Sequence, residues 1–256
     1  MGQARDFFSD GQWRAIAKAI ARLTSRGPKG EPRRFLEAVI WILRSGAPWR
    51  DLSERFGRWE SIYRRFRRWA VAGRWEDLRR SLAISARAAL LLIDSTIVKA
   101  HPHAAGASRK SGGQAAQALG RSRGGFSTKL HAVVTAKGAL VRYCLTGGEV
   151  NDITQAQALV RSGEGTKLIG DRGYDGDDFI AHVRARGMRA VIPSRRHRRI
   201  QRRLDHRAYA QRNVIERWFG RLKVFRRVAT RYEKTTHSYL GFVAMAATLI
   251  ALTGWR

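Results

Sequence analysis

Glu216 is an isolated acid in a strongly basic part of the chain, within the stretch YAQRNVIERWFGRLK. No other acidic residue occurs between Asp205 and Glu233. On an α-helix, at about 100° per residue, one narrow face carries four polar side chains, Tyr209, Arg212, Glu216 and Lys223. One interpretation is a surface helix with a stabilising Arg–Glu pair four residues apart. The other is a carboxylate that the chain keeps there for its chemistry.

Two more carboxylates are predicted to lie at the ends of β-strands. The run ALLLID predicts a compact buried strand that ends at Asp94, and KLIGDRGYD predicts a strand that breaks at Asp171. Each aspartate taken alone is better explained as a turn residue at a strand end. If the two strands are neighbours and the helix of Glu216 packs across them, however, the three carboxylates converge.

Converging carboxylates repel one another, so they persist where divalent cations neutralise them. Mg²⁺ prefers oxygen ligands and keeps open positions for water. Two such ions, about 4 Å apart, can activate an attacking oxygen and stabilise a leaving 3′ oxygen on one phosphorus. The three acids together therefore indicate metal-dependent chemistry on phosphodiesters.

The overall charge indicates a polyanionic partner. The chain has 50 Lys and Arg against 20 Asp and Glu, a net charge of +30 in 256 residues. Such a charge causes self-repulsion unless nucleic acid neutralises it, and a basic surface kept only for solubility is the lesser alternative. A hydrophobic fraction of 44% is ample for a folded core. The single cysteine, Cys144, excludes an intrachain disulfide framework and a cysteine-rich zinc site.

No targeting or membrane segment is expected. The opening MGQARDFFSD lacks the basic-then-apolar pattern of a signal peptide. The most apolar stretch, GFVAMAATLIALTGW, is short for a membrane span and predicts a buried C-terminal helix. We therefore expect a cytoplasmic protein without a membrane partner.

Residues 1–85 are predicted to form an all-helical domain. Ser9 or Asp10 is expected to cap a first helix, and Gly46 to end a second, RRFLEAVIWILRSG. The third, WESIYRRFRRWAVAG, has an aromatic face and an opposite face with four arginines, Arg64, Arg65, Arg67 and Arg68. This outline favours a helix-turn-helix DNA reader, although a three-helix bundle without a DNA role has the same pattern.

Residues 86–256 are predicted to form a mixed α/β domain. Short apolar runs alternate with helical patterns in the order strand, strand, strand, helix, strand, helix, strand and one long helix from about residue 204 to 232. This order is compatible with a mixed five-stranded sheet flanked by helices. The Gly- and Ala-rich segment 101–126 is predicted to be a mobile loop.

Three segments resemble the acidic blocks of bacterial DDE insertion-sequence transposases, most closely those of the insertion sequence five family. They are IDSTIVKAHPHAAG, LIGDRGYD and YAQRNVIERWFGRLKVFRRVATRYEK. The last matches that family's Tyr-x2-Arg-x3-Glu-x6-Lys signature at Tyr209, Arg212, Glu216 and Lys223. The resemblance covers nearly the whole chain, because GAPWRDLSERFGRWESIYRRFRRW also resembles the helical domain that precedes the catalytic core in these proteins.

The resemblance implies an RNase H-like catalytic core after an N-terminal helical domain, and cutting and joining of DNA at the terminal inverted repeats of an element. Asp94, Asp171 and Glu216 would be the catalytic residues and would hold two Mg²⁺ or Mn²⁺ ions. The partners would be the inverted repeats, target DNA and further copies of the chain, in a homodimer or higher oligomer. Glu216 would then lie among cations because the metal ions need it.

The resemblance also gives roles to residues near these acids. Arg212 and Lys223 would hold phosphates, and Tyr209 would stack on or hydrogen-bond to the terminal nucleotide. Arg172 is a phosphate or salt-bridge candidate. Asp175, Asp177 and Asp178 are better explained as turn and N-cap residues than as ligands. His101 and His103 resemble a short metal-binding pair but lack further partners, which favours loop or DNA contacts. Trp218 is either a core side chain or, as the lesser alternative, a wedge into DNA.

Two other functions are compatible with the sequence. A transposase-derived regulator would bind DNA without catalysis, and a structure-specific nuclease on the same fold would cleave without strand transfer. The presence of all three carboxylates argues against the first.

Overall fold

A computed structural model describes residues 7–23, 31–82, 88–107, 112–113, 115–122, 124–162 and 165–253. Their contacts divide the chain into two compact units. The first lies within residues 1–83 and 222–254, and the second within 84–221. The first unit thus combines helices from the N-terminal and C-terminal parts of the described chain, which chain order alone does not indicate. The functional division at residues 85 and 86 stays a prediction.

The α-helices are numbered in chain order: α1 (Asp10–Leu23), α2 (Pro32–Ser45), α3 (Trp59–Val71), α4 (Arg74–Leu82), α5 (Ile153–Leu159), α6 (Asp177–Ala185), α7 (His206–Tyr209), α8 (Asn213–Lys223), α9 (Arg226–Ala229) and α10 (Thr236–Leu252). The strands are β1 (Leu90–Ala100), β2 (Gly120–Ser122), β3 (Gly125–Thr135), β4 (Leu140–Gly147), β5 (Lys167–Ile169), β6 (Arg189–Val191) and β7 (Thr230–Arg231). No helix among the described residues is long and apolar enough to cross a membrane.

Local signals set the ends of the N-terminal helices. The hydroxyl of Ser9 accepts a hydrogen bond from the backbone N–H of Gln12 at 3.3 Å, and the Gln12 side chain accepts one from the Ser9 N–H at 2.9 Å. This reciprocal pair is a capping box and confirms Ser9 as the N-cap of α1. Gly46 ends α2 in the left-handed conformation, with φ of 72°, as predicted. The separate helix α4 was not predicted.

Aromatic packing holds the first unit together. Phe66 of α3 lies 4.5 Å from Phe242 of α10 between ring centroids, and Trp49 lies 6.0 Å from the same ring. The indole of Trp75 is buried and donates a hydrogen bond to the Phe66 carbonyl at 3.2 Å. Helix α10 buries residues around its whole circumference, which confirms the predicted buried C-terminal helix.

The second unit is built on a mixed sheet. Strand β3 pairs antiparallel with β1 along one side and with β2 and β4 along the other. Strand β1 then pairs in parallel with β5, and β5 in parallel with β6. The strand of Asp94 and the strand before Asp171 are therefore neighbours, as predicted. Residues of α5 and α6 pack on this sheet, in a core that includes Leu91, Ile93 and Val183.

Three details differ from the sequence prediction. Strand β1 continues to Ala100, paired with β3 as far as Lys99, so Asp94 lies in mid-strand and not at its end. The predicted long helix is divided into α7, α8 and α9, because a 3₁₀ turn lies at Ala210–Arg212 and Phe225 has an extended backbone. The predicted loop 101–126 contains β2 and 3₁₀ turns; residues 108–111, 114 and 123 within it lie outside the described part.

Candidate active site

Asp94 is a largely buried carboxylate in the middle of β1. Its side chain is 14% exposed, and it accepts hydrogen bonds from the Ser95 N–H at 2.8 Å and from Arg212 at 3.5 Å. Burial raises its pKa to about 6, and the charges of Asp171 and Asp152 add to the rise, against the opposing effects of Ser95 and Arg212. The positive charge around Asp94 therefore does not compensate for its burial.

Asp171 lies directly after β5, where the chain turns. Its carboxylate caps a 3₁₀ turn, Arg172–Tyr174, by accepting the Gly173 N–H at 2.8 Å. A Cβ on residue 173 would lie 2.9 Å from this carboxylate oxygen, so a side chain there would displace the Asp171 carboxylate. The sheet places Asp171 near Asp94, because β1 and β5 are adjacent and the charge of Asp171 acts on the pKa of Asp94.

Arg212 connects Asp94 with Glu216. One guanidinium nitrogen bonds to Glu216 at 2.5 Å and another to Asp94 at 3.5 Å, across 118 residues of sequence. The Arg–Glu pair expected on one helix face is therefore present, and it extends to a third side chain in the sheet. The Arg212 Nε is buried and has no hydrogen-bond partner among the described residues.

The donor set has the chemistry of a site for a hard divalent cation. Asp94 and Asp171 have carboxylate oxygens of the kind that such a cation binds, and the raised pKa of Asp94 is in keeping with a place where added positive charge would be favourable. In this arrangement Arg212 holds Glu216, and no three His, Cys, Asp or Glu side chains in the described ranges form a group that could bind one metal ion. A metal site shared by all three carboxylates thus stays a prediction.

The other residues predicted to contact DNA near the carboxylates differ in exposure and position. Tyr209, at the end of α7, is half-buried and contributes to the raised pKa of Arg212. Arg172 is exposed, in the turn after Asp171. Lys223 falls in the other compact unit, and burial lowers its pKa.

The arginine face of α3 is smaller than predicted. Arg64, Arg67 and Arg68 are exposed. Arg65 is half-buried, with its guanidinium 4.2 Å from the ring centroid of Phe35, and burial lowers its pKa. Placing Arg65 on the exposed face was therefore wrong, because this cation stacks on the aromatic core.

Asp175 has a larger structural role than the turn residue that the sequence predicted. Its side chain is fully buried and accepts hydrogen bonds from the Arg195 N–H at 2.7 Å, from Arg198 at 3.0 Å and from Arg202. Burial alone would raise the pKa of Asp175, but these bonds hold it below its usual value. A sequence signal for these ion pairs was present, because the acidic run DGDD and the basic run RRHRRIQRR carry opposite charges.

The remaining candidate residues make contacts that the fold itself explains. Trp218 is completely buried, so the core interpretation is confirmed and the wedge into DNA is wrong. His101 accepts the backbone N–H of His103 at 3.2 Å, within a 3₁₀ turn. Asp177 begins α6 and pairs with Arg198 and Arg202.

Comparison with known proteins places most of the chain in two families. A family model described as "Transposase DDE domain" matches residues 86–251. A second model, described as a transposase of the IS4/5 family, matches residues 8–79. The two matches lie on either side of the predicted domain boundary at residues 85 and 86.

Curated relatives agree with these families. An uncharacterised protein of Sinorhizobium fredii, y4sN, is 44% identical over 111 residues, or 43% of this chain and 89% of that protein. A protein of Brucella ovis, named as a transposase for insertion sequence element IS6501, is 39% identical over 138 residues, or 50% of this chain and 99% of that protein. A protein of Burkholderia cepacia, named as a transposase for IS402, is 32% identical over 48% of this chain and 62% of its own length.

Solved structures show a distant likeness. The piggyBac transposase synaptic complex with hairpin DNA has a TM-score of 0.40 at 11% identity, and the match covers 72% of this chain and 47% of that one. The Mos1 mariner paired-end complex with Mn has a TM-score of 0.27 at 12% identity, over 95% and 86% of the two chains. These likenesses carry no functional argument.

The family matches identify the mixed sheet with its helices as an RNase H-like core that follows an N-terminal helical region. The chain belongs to the bacterial DDE transposases of the IS4/5 group, which are DNA-cleaving enzymes that use divalent metal ions.

Proposed function

We propose that this transposase binds the terminal inverted repeats of its insertion sequence, cleaves there and joins the cut ends to target DNA. The observation that carries the proposal is the bridge formed by Arg212 between Asp94 and Glu216, next to Asp171. A strand, a turn and a helix far apart in sequence contribute to one cluster of charged side chains. Charged clusters of this kind, with a strongly shifted pKa at a buried acid, are concentrated at functional sites.

The three carboxylates have the role of metal ligands in this proposal. Asp94, Asp171 and Glu216 would hold two Mg²⁺ or Mn²⁺ ions. When bound, such ions activate the attacking oxygen and stabilise the leaving 3′ oxygen. For Glu216 to join the other two, Arg212 must turn away from the carboxylates. Its planar guanidinium is then free to hold a phosphate of the cut strand with two parallel hydrogen bonds.

Other side chains would position the DNA. Tyr209 lies near Arg212 and offers a ring for stacking on the terminal nucleotide, and Arg172 is exposed beside Asp171. Lys223 would hold a further phosphate. In the N-terminal helical region, Arg64, Arg67 and Arg68 of α3 would contact the inverted repeat, as the exposed cations of an amphipathic helix.

Assembly and division of labour belong to the same proposal. Residues 1–85 would recognise the element ends, and residues 86–256 would hold and cut the tip. Because both ends of the element must be joined to one target, a homodimer or higher oligomer would bring them together.

One assay separates this function from its alternatives. The full chain is incubated with labelled inverted-repeat ends, Mg²⁺ and a target plasmid, with a chelator as the control. Joined products are expected, and they identify strand transfer. Nicked ends without joining would indicate a nuclease, and a mobility shift without any cleavage would indicate a DNA-binding regulator; either result would overturn the proposal.

A further inference from the structure

The second unit contains a basic surface apart from the three carboxylates. We name residues 195–203, with the sequence RRHRRIQRR, the basic loop. Hydrogen bonds within it give it a defined shape: Gln201 donates to the carbonyls of Arg195 at 3.2 Å and Arg198 at 2.9 Å, and the Arg202 N–H donates to Ser194 at 2.9 Å. The basic loop is thus ordered although it has no regular secondary structure.

Asp175 and Asp177 fix the basic loop to the rest of the unit. Arg198 bonds to Asp175 at 3.0 Å and to Asp177 at 2.8 Å, and Arg202 bonds to both acids as well. Asp175 is buried, so these pairs cannot be exchanged readily for water. Two of the six arginines in the loop are used in this way, and their charges are compensated.

The remaining cations of the loop face solvent. The side chains of Arg195, Arg196, Arg199 and Arg203 are exposed. At one end of the loop, Arg195 donates to the carbonyls of Arg172 at 3.4 Å and Gly173 at 3.2 Å, in the turn that follows Asp171. The loop therefore starts beside the candidate active site.

At its other end the loop borders a cavity of about 440 Å³. The described residues that line the cavity include no acid, and four of them are arginines: Arg184, Arg189, Arg202 and Arg203. Arg184 and Arg203 are exposed at this cavity. The charge of Arg189 helps to lower the pKa of Asp205, and Asp205 also forms an ion pair with Lys167 at 2.9 Å. The cations thus continue from the turn of Asp171 to the cavity.

We propose that this surface, formed by the basic loop with Arg184, binds the phosphate backbone of duplex DNA as the DNA leaves the cleavage site, without reading its sequence. Exposed guanidinium groups, on a loop and on the helix beside its cavity, match the phosphates of a DNA backbone in charge. The buried pairs at Asp175 hold the loop in place before DNA arrives, which lowers the entropy lost on binding. The inference rests on the proposed function only for the direction of the DNA relative to the cut.

The test measures how the affinity of the full chain for DNA depends on salt. The variant R184Q/R199Q/R203Q removes three cations of the surface and none of the ion pairs. Each arginine that binds a phosphate contributes about one unit to the slope of log K against log salt, so the slope should fall by about three units. The matched control is Arg161→Gln, an exposed arginine outside the surface, which should leave the slope unchanged.

Three duplexes identify the DNA that is bound: an element end with flanking sequence, the same end without it, and an unrelated duplex. A fall with the flanked end that is absent with the end lacking a flank is expected, and it identifies the DNA beyond the cut. An equal fall with both ends, or a fall with the unrelated duplex alone, would overturn the inference. If the triple variant has the slope of the wild type with every duplex, the inference is overturned. Should the triple variant melt early, R199Q and R203Q separately carry the test, each with a fall of about one unit.

The same samples separate this inference from the proposed function. A wild type that cuts and joins, with unchanged slopes in the variants, contradicts the DNA surface alone. A wild type that neither cuts nor joins, with a lower slope in the triple variant, contradicts the strand-transfer function and leaves the DNA surface supported.

Discussion

Arg212 links two of the three carboxylates of the candidate site. It bonds to carboxylates of a strand and of a helix, and its own pKa is raised by Asp94 and Glu216 against the effect of burial. The spacing in sequence predicted its pair with Glu216, which is a local contact between the 3₁₀ turn and the first turn of α8. The bond to Asp94 could not be predicted from spacing, because it depends on how this 3₁₀ turn lies against β1.

We expect neutral replacements of the three acids to separate cleavage from binding. Asp94→Asn, Asp171→Asn and Glu216→Gln keep the shape of each side chain but are much weaker ligands for Mg²⁺. Each should abolish cleavage of labelled element ends, while affinity for those ends stays near that of the wild type because it comes mainly from cations. Near-normal cutting by any one variant would remove that residue from the set of ligands.

A second prediction at this scale concerns pH and Asp94. Its pKa is raised from 3.8 to about 6 in the folded chain, so the folded state binds the proton more tightly than the unfolded state. The free energy of unfolding should therefore fall as pH rises from about 4 to 6, and stay lower above that range. Asp94→Asn removes this loss, which a shift of this size puts at no more than about 3 kcal/mol.

The measurement is thermal unfolding with a chelator present, at pH 4 and at pH 8. Asp94→Asn should raise Tm at pH 8 and change it little at pH 4. An equal change at both pH values would show that the variant alters packing and not the charge. Asp177→Asn is the control, since its carboxylate is exposed and its pKa is lowered through Arg198, so it should not raise Tm at pH 8.

At the scale of elements, the sequence predicted the features that depend on neighbouring residues better than those that depend on long-range contacts. The capping residue Ser9, the stop at Gly46 and the strand runs act through neighbours in the chain, and these predictions were confirmed. The end of β1 was wrong because the apolar run stops at Asp94 whereas pairing with β3 continues to Lys99. The 3₁₀ turn that divides the predicted last helix has no clear signal in its sequence.

Two glycines provide a matched test of these helix ends. Gly46 has a φ of 72°, and a Cβ there would lie 3.0 Å from the Cβ of Arg226. Gly46→Ala should therefore lower the free energy of unfolding by about 1 to 2 kcal/mol, the cost of a left-handed backbone at a residue with a side chain. Gly11, in the first turn of α1, has no atom within 4 Å of such a Cβ.

Gly11→Ala should leave the free energy of unfolding unchanged or raise it by about 0.5 kcal/mol, because alanine restricts the unfolded chain more than glycine does. Urea unfolding of both variants measures the difference. If the two replacements had the same effect, the cap at Gly46 would not contribute to the stability of the first unit.

At the scale of the whole molecule, chain order and compact units divide the protein differently. The sequence pattern changes from helical to mixed at residues 85 and 86, and the family matches change near there too. Contacts, however, group residues 222–254 with the N-terminal helices. Sequence could not predict this grouping, because an apolar helix such as α10 shows that it is buried but not which helices cover it. A net charge of +30 adds self-repulsion that bound DNA relieves.

The grouping leads to a prediction about the N-terminal region on its own. A fragment of residues 1–85 lacks α10, and so exposes Phe66 and Trp49, whose rings contact Phe242 in the full chain. Removal of one buried Phe or Trp side chain from a core costs about 3 to 5 kcal/mol, a large part of the stability of a small domain, and the fragment lacks every buried side chain of α10. We expect the fragment to be largely unfolded, and to regain helical circular dichroism when residues 222–254 are attached through a flexible linker.

The linked fragment then tests whether this region reads DNA sequence. It is titrated with its own element end and with a scrambled duplex over a range of salt concentrations. Tighter binding to the element end is expected, with a loss of about 1–3 kcal/mol for each base-edge contact that is removed. Arg64→Gln, Arg67→Gln and Arg68→Gln should each weaken binding, whereas Arg65→Gln should lower Tm, because that guanidinium stacks on Phe35. Equal affinity for both duplexes would mean that the element end is recognised elsewhere in the chain, and that α3 supplies only electrostatic attraction.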